Sequence, residues 1–499
     1  MVTLAWGVSA PLQRDMKHLT MRLAIFLSTL AAAVSAFGVL SSQKRTLGTL
    51  VLPKPSVILF SEDDKKRTAL GVKTGTVGEG TSYMVGEWLP SDHSHREKWL
   101  KARIDELDDR AFHPVITKFQ EFIEGDPAVF MLFDEMFKQV HHHKSPTGEP
   151  QVKNCRRMLR LLNHIMTSAP PFDKTGLVGF PINAIFDWSM GTTGGHAAFL
   201  MDKVNAHLKP ILDEWGVFLA SKDSASVLNE NETSGWLGTE ALKAMAPDGH
   251  ENPRQYFINT FICDPDKPHF GFTSWDDFFT RELREGARPV VSLDDDTVIV
   301  NACESAPFAL KRNVQRRAKF WMKGQPYSLD HMLANNEYVD QFVNGTVYQA
   351  FLNAKSYHRW HSPVNGIIVK TYNVPGSYYS ESLANRHDPE GPNDSQGYIT
   401  AVAARAIIFI QADNPQIGLM CFLAVGMAEV STNEITVYEG QRVKKGDQLG
   451  TFHFGGSTHC LIFRPQTNVQ FDLRGQEPGL NAHNILINQD IATVSKIDF

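Results

Sequence analysis

The chain has 499 residues and a mass of 55.8 kDa, enough for two or three domains with cores that need no disulfide or metal staples. Apolar residues make up 42% and charged residues 21%, near the globular average, which excludes wholesale disorder and a collagen-like fibre. Lys plus Arg is 49 against 55 Asp plus Glu, and a net charge of −6 argues against a general nucleic-acid binder.

Met21-Arg22 opens an apolar run, Leu23 to Leu40, broken only by Ser28, Thr29, Ser35 and Gly38. Segment 1–40 reads as a secretory signal ending in small residues near Val34-Ser35-Ala36, or as a membrane anchor of about minimal length. An apolar leader with no targeting role is the alternative, and translation starts at Met1 or Met21. Three sequons, at Asn231, Asn344 and Asn393, accord with secretion but arise easily by chance. The expected location is the secretory pathway or a membrane, with the cytoplasm the alternative if the run is no signal. No second spanning run follows.

Residues 41–94 are rich in Lys, Gly, Ser and Thr and read as a flexible linker. From 95 to 245 the pattern is helical. Trp99, Ile104 and Leu107, then Val115, Phe119, Phe122 and Ile123, recur at spacings near 3.6. Arg156 to Met166 predicts a strong amphipathic helix, whereas Gly179 to Gly195 is expected to break the helices with a Gly-rich turn. Residues 246–290 are a connection with one short helix, Trp275 to Arg284. After about 295, short β-branched runs predict strands at 297–301, 346–352, 366–372, 406–411, 419–425 and 434–437. The fold class is therefore α+β: a helical N-terminal domain, then a β-rich domain over 246–499.

Common catalytic motifs are missing: there is no phosphate-binding GxxxxGK[ST], no HExxH and no GxSxG. Gly75 to Gly80 lies in the linker, so its glycines make no dinucleotide fingerprint. The five cysteines, at 155, 263, 303, 421 and 460, are widely spaced without a CxxC and read as buried reduced thiols. Lys144 after three histidines raises the prospect of a pyridoxal-phosphate lysine. The solvated turn that follows, Ser145 to Pro150, argues instead for a surface loop, because such a lysine needs a water-poor pocket.

Two segments carry more. In Val443 to Phe463, Lys445-Gly446-Asp447 reads as a hairpin turn, Leu449 to Phe454 alternates as a strand, and Gly455-Gly456-Ser457-Thr458 interrupts it before His459 to Phe463 resumes. Two glycines and a hydroxyl inside a strand pattern mark either a bulge or a special backbone site. In Tyr357-His358-Arg359-Trp360-His361-Ser362-Pro363, the two histidines suit acid–base work near neutral pH. A structural hydrogen-bonding role is the alternative for His358.

These segments together resemble the phosphatidylserine decarboxylase family, whose members make their own pyruvoyl group. Phe278-Phe279-Thr280-Arg281 through Arg288-Pro289 is similar to its FFxR…RP block, and Tyr357 to Pro363 to its YHRxHxP block. Val425-Gly426 to Thr432 occupies the place of its VGA segment. Lys445 to Asp447, with Gly450, Phe452 and Gly456-Ser457-Thr458, matches its cleavage motif. The resemblance covers roughly 250–499. Region 95–245 resembles the helical extension of the branch that includes L-tryptophan decarboxylases. Glu304 and the Gly426 to Thr432 segment fit that branch better than the phospholipid enzymes.

The resemblance implies a mechanism. Ser457 attacks the Gly456 carbonyl to form an ester, β-elimination splits the chain between 456 and 457, and hydrolysis leaves a covalent pyruvoyl group at position 457. That group is the electron sink for decarboxylating an α-amino acid, by way of a Schiff base. His361 is the implied base and Glu304 its orienting acid, in place of the family's usual Asp. His358 is the implied proton donor after CO2 leaves. No metal is required, and the two chains are expected to stay associated. A free aromatic amino acid such as L-tryptophan is the leading substrate. Phosphatidylserine, with phosphatidylethanolamine as product, is the runner-up, and membrane association would come from the N-terminal segment. An inactive binding protein of the same fold is the competing class, favoured only by Glu304. Phe186 and Trp188, near Gly194-Gly195, either cap a substrate pocket or pack in the core.

Overall fold

The computed structural model describes residues 93–495, apart from 108, 143–151, 176–179, 248, 319–326, 384–394, 430–431 and 456. The apolar run 23–40, the linker up to residue 92, Lys144, the Asn393 sequon and Gly456 lie outside the described residues, and the last two linker residues instead open the helix His93–Asp105. Among the described residues, no helix is long and apolar enough to cross a membrane.

Helices dominate up to Phe279. Cys155–Ile165 starts where the Asn154 side chain accepts from the Arg157 amide at 2.9 Å, and it buries Met158, Leu159, Leu162 and Ile165 along one stripe. Asp202–Leu219 buries Val204, Leu208, Ile211, Trp215 and Leu219 at the same spacing. Residues 179–195 differ from expectation. Pro181–Met190 is a helix, with Pro181 in the first turn where its missing N–H costs nothing, and Thr193–Phe199 follows it. The Thr192 hydroxyl caps that second helix by accepting from the Gly195 amide at 3.0 Å. Gly195 also has no room for a side chain, because a Cβ there would lie 1.9 Å from the Ser189 carbonyl oxygen. The expected helix over 275–284 is shorter, Trp275–Phe279; beyond it, Leu283 bridges to Phe261.

Among the described residues thirteen strands follow: β1 Val298–Val300, β2 Ala306–Val314, β3 Gly345–Leu352, β4 Arg359–His361, β5 Gly366–Val374, β6 Arg405–Ala412, β7 Leu419–Gly426, β8 Thr432–Ile435, β9 Arg442–Val443, β10 Gln448–His453, β11 Ser457–Phe463, β12 Val469–Phe471 and β13 Asp490–Val494. They form a seven-stranded antiparallel sheet in the order β2-β3-β11-β7-β6-β5-β9 and two small sheets, β4-β10-β8 and β1-β13-β12. Lys445 to Asp447 is a turn, but it joins β9 and β10, which lie in different sheets, so no hairpin forms.

The large sheet is buried on both faces. Cys421, Leu423 and Val425 of β7 and Cys460 and Ile462 of β11 join one apolar cluster. The alternate residues, Met420, Phe422 and Ala424 with Leu461 and Phe463, join a second. This explains why β7 reads as a continuous apolar run. The first cluster also takes in Phe119, Phe133, Phe186 and Trp215, so helices and sheet share one core across residue 245. Phe186 belongs to that core: it packs against Tyr379 and Phe199, with ring centroids 4.7 and 5.1 Å apart.

Candidate active site

Ser457 opens β11, between Leu352 at the end of β3 and Gly426 at the end of β7. It is fully buried, and its hydroxyl has no hydrogen-bond partner among the described residues. Just before it the backbone turns sharply out of β10. Phe454 has φ 49° and Gly455 has φ 106°. The left-handed region costs a non-glycine residue about 1–2 kcal/mol. Trp215, whose ring stands perpendicular to Phe454 at 4.2 Å, holds it there.

Beyond Leu352 the chain makes a tight turn in which Asn353 Oδ1 accepts from the Lys355 amide at 2.8 Å. This delivers His358 to the same end of the sheet as Ser457. His358 is fully buried and stacked on Phe279 at 3.8 Å, and neither ring nitrogen has a partner that meets hydrogen-bond geometry. Burial and the nearby Arg281 charge push its pKa well below the usual histidine value, so the ring is neutral.

His361, three residues on in β4, is fully engaged. Its Nδ1 lies 2.6 Å from the Gly446 carbonyl oxygen and its Nε2 lies 2.9 Å from the Tyr357 hydroxyl. A carbonyl only accepts, so Nδ1 carries the proton and Nε2 accepts from Tyr357. Burial lowers the His361 pKa, and Gly446 opposes the shift. Gly446 itself has φ 88°, and a Cβ there would meet Val290 at 2.4 Å. Glycine is required at this position on both counts.

Glu304 is elsewhere engaged. Its carboxylate takes a two-pronged ion pair from Arg288, at 3.0 and 3.2 Å, and both side chains are buried. Arg288 also donates to the Tyr256 hydroxyl at 2.8 Å. The expected Glu304–His361 contact is therefore replaced: a backbone carbonyl orients the histidine, and the extra methylene of Glu304 serves a pair with arginine. Removing one partner of such a buried pair strands the other charge and costs about 3–5 kcal/mol. Glu304→Ala is accordingly expected to lose that much stability in denaturant unfolding. An unchanged unfolding midpoint with slowed chain cleavage would return Glu304 to the orienting role.

The block around Phe278 also finds its purpose. Phe279 stacks on His358, and Arg281 donates to the Lys355 and Ser356 carbonyls at 2.8 and 3.1 Å, fixing the turn ahead of His358. Burial lowers the Arg281 pKa to about 10. Tyr357 and Gly446 stood inside recognised motifs, but their contacts with His361 depend on two strands meeting and leave no local signal.

His453, at the end of β10, lies 3.1 Å from Asp276 and 2.9 Å from Glu434. Burial lowers its pKa, but hydrogen bonds and charge from both acids outweigh this and raise it to about 9. The folded value exceeds the unfolded one, so the stabilisation is complete below about pH 6.5 and is lost as pH rises through 9. Thermal melts should show a fall across that window that is about 2–4 °C larger in the wild type than in His453→Gln.

The site thus has a definite composition: a buried serine at the head of a central antiparallel strand, with two histidines on the neighbouring turn and strand that follow β3. Residues 113–245 and 275–491 each match a family model described as phosphatidylserine decarboxylase. L-tryptophan decarboxylase of Psilocybe cubensis is 40% identical over 394 residues, spanning 76% of this chain and 86% of that protein. Decarboxylase iboD of Amanita muscaria is 44% identical over 332 residues, spanning 64% and 92%. Phosphatidylserine decarboxylase proenzyme 3 of Schizosaccharomyces pombe is 30% identical over 216 residues, but these are only 43% of this chain and 21% of that protein. The chain belongs to the phosphatidylserine decarboxylase family, in the branch that includes tryptophan decarboxylases.

Proposed function

We propose that the protein is a self-processing, pyruvoyl-dependent decarboxylase of a free aromatic amino acid, L-tryptophan or a close analogue. The observation that carries this reading is the Ser457 hydroxyl, fully buried and unpartnered directly after Gly456. A buried hydroxyl left without a hydrogen bond costs about 1–3 kcal/mol, which the fold tolerates where the group has chemistry to do. The same orphaned oxygen is the test that the family's cofactor fits here.

His361 Nε2 accepts the Ser457 proton once Tyr357 turns aside, and the Gly446 carbonyl stabilises the imidazolium through Nδ1–H. Ser457 Oγ then bonds to the Gly456 carbonyl carbon as the 456–457 C–N bond breaks, and the leaving nitrogen takes the proton back from His361. Loss of the Ser457 Cα proton expels the Gly456 carboxylate and ends the large chain. Addition of water at the new terminus releases ammonia. The ketoacyl group that remains would supply an electron sink conjugated to a substrate amine. His358 would relay a proton toward the carbon that loses CO2, giving up the hydrogen on one ring nitrogen while the other takes a replacement, and the Phe279 stack fixes the plane of its ring.

The substrate side of the reading rests on likeness to the two fungal decarboxylases, which extends through the helical region as well as the sheet. Its test is the amine product formed from L-tryptophan, L-phenylalanine, L-tyrosine and phosphatidylserine vesicles. Tryptamine from L-tryptophan is the expected result. Phosphatidylethanolamine alone would make the protein a phospholipid enzyme, and uncleaved wild-type chain with no product would make it a binding protein.

The small chain, residues 457–499, is expected to stay bound. Ser457–Phe463 pairs over its whole length with β3 on one side and β7 on the other.

A further inference from the structure

Phe454, Gly455 and Gly456 join two fixed points, and the bond to be cut is the last of that short run. On the far side Ser457 is locked between β3 and β7. On the near side stands His453, the last residue of β10. Its ring is gripped from two directions. Nδ1 lies 3.1 Å from both carboxylate oxygens of Asp276, in the helix Trp275–Phe279, and Nε2 lies 2.9 Å from Glu434 Oε2, in β8. With an acid at each nitrogen, both nitrogens donate and the ring carries a charge. The next residue is held as well. Phe454, at φ 49°, meets the Trp215 ring at 4.2 Å and the Phe279 ring at 6.2 Å. Trp215 is itself fixed, because its indole N–H donates to the Ser168 carbonyl at 3.0 Å.

The helix Trp275–Phe279 therefore touches both halves of the chemistry. Asp276 grips the strand end ahead of the cut, and Phe279 stacks on His358. A left-handed phenylalanine persists only where its surroundings over-determine it. An intramolecular attack is fast only while the reacting atoms are held near contact, and a misplacement of about 1 Å can cost a hundredfold. Three residues between two anchors have little slack. Releasing the near anchor lets the bend at Phe454 relax toward ordinary extended chain, and the Gly456 carbonyl then drifts from the Ser457 hydroxyl.

We propose that the Asp276–His453–Glu434 clamp is the near anchor of self-cleavage. His453 is a positioning residue: it keeps the turn ahead of Ser457 bent so that the Gly456 carbonyl stays within reach, and its work ends when the chain is cut. The inference rests on the self-processing reading above and adds residues that act on maturation and not on substrate. It also gives the helical extension a part in maturation, because Trp215 comes from it.

The test follows cleavage in time by intact mass, on full-length chain made by cell-free translation. His453→Gln keeps a hydrogen-bonding side chain without the charge, and it should be cut at least about tenfold more slowly than the wild type. His453→Lys restores a cation between the two acids and should recover most of that loss. Asp276→Asn should also slow cleavage, and the double variant should be little slower than the worse single one, because both changes break one device. Per cut molecule, His453→Gln should lose less in turnover than it loses in cleavage rate. Folding is checked by melting each change in the uncut Ser457→Ala background, and cleavage is read well below those midpoints. His453→Gln cut at the wild-type rate, a lysine variant as slow as the glutamine one, additive slowing in the double variant, or an equal loss of turnover per cut molecule would overturn the anchor and leave self-processing standing. A wild type that is never cut would overturn the self-processing reading and the anchor with it.

Discussion

Ser457→Ala is expected to give one uncut chain of 55.8 kDa and no amine product, a loss of more than about six orders of magnitude if turnover falls to the uncatalysed rate. The loss is chemical and not structural. The serine hydroxyl has no hydrogen-bond partner among the described residues, so its removal leaves no donor or acceptor stranded, and a methyl group suits the buried position. The uncut variant should therefore fold and melt no lower than the cleaved wild type. Intact mass reads the outcome directly: wild type as two chains meeting at Gly456/Ser457 with the new terminus blocked, the variant as one. A variant that still cleaves, or a wild type that never does, would remove the proposed electron sink.

The second large effect is a division of labour between two histidines three residues apart. His361→Ala should leave the chain uncut and hence inactive. His358→Ala should cleave normally yet lose about 10²–10⁴-fold in turnover, the usual contribution of a positioned acid or base. The geometry behind the split is that His361 has its tautomer set by Gly446 and its Nε2 covered by Tyr357. That leaves one acceptor nitrogen, as the proposed base needs. His358 is buried and neutral, with the Asn353 and Phe279 backbone beside it, as would suit the proposed proton relay. Intact mass and product assay on the same two samples separate the roles. A His358 variant that stays whole, or a His361 variant that cleaves at the wild-type rate, would reverse or dissolve the assignment.

Much of this was legible in the chain. The strands of the large sheet were visible because both faces are buried, which leaves β-branched and apolar runs bounded by glycine and asparagine. The helix over 155–165 announced itself through its stripe. The region 179–195 misled because its glycines suggested a turn, whereas Pro181 and Thr192 each start a helix and Gly195 serves close packing. The serine and both histidines of the proposed mechanism could be named from motifs. Their partners could not. Glu304 was assigned to His361 because an acid is expected there, but Arg288, sixteen residues earlier, takes its carboxylate. Tyr357 and Gly446 reach His361 through contacts made only when the chain folds, and no local pattern encodes them.

The place of β11 in the middle of the large sheet bears on the working life of each molecule. Its seven residues are laced to neighbours on both edges, so residues 457–499 could leave only by opening the sheet. A separately made copy of that segment would begin with an ordinary serine, since the ester that creates the reactive terminus needs Gly456 on the same chain. On the proposed self-processing, the reactive end is thus made once per molecule and cannot be swapped for a fresh one. If a side reaction converts it to an inert amine, that molecule is spent, and activity is restored only by new synthesis.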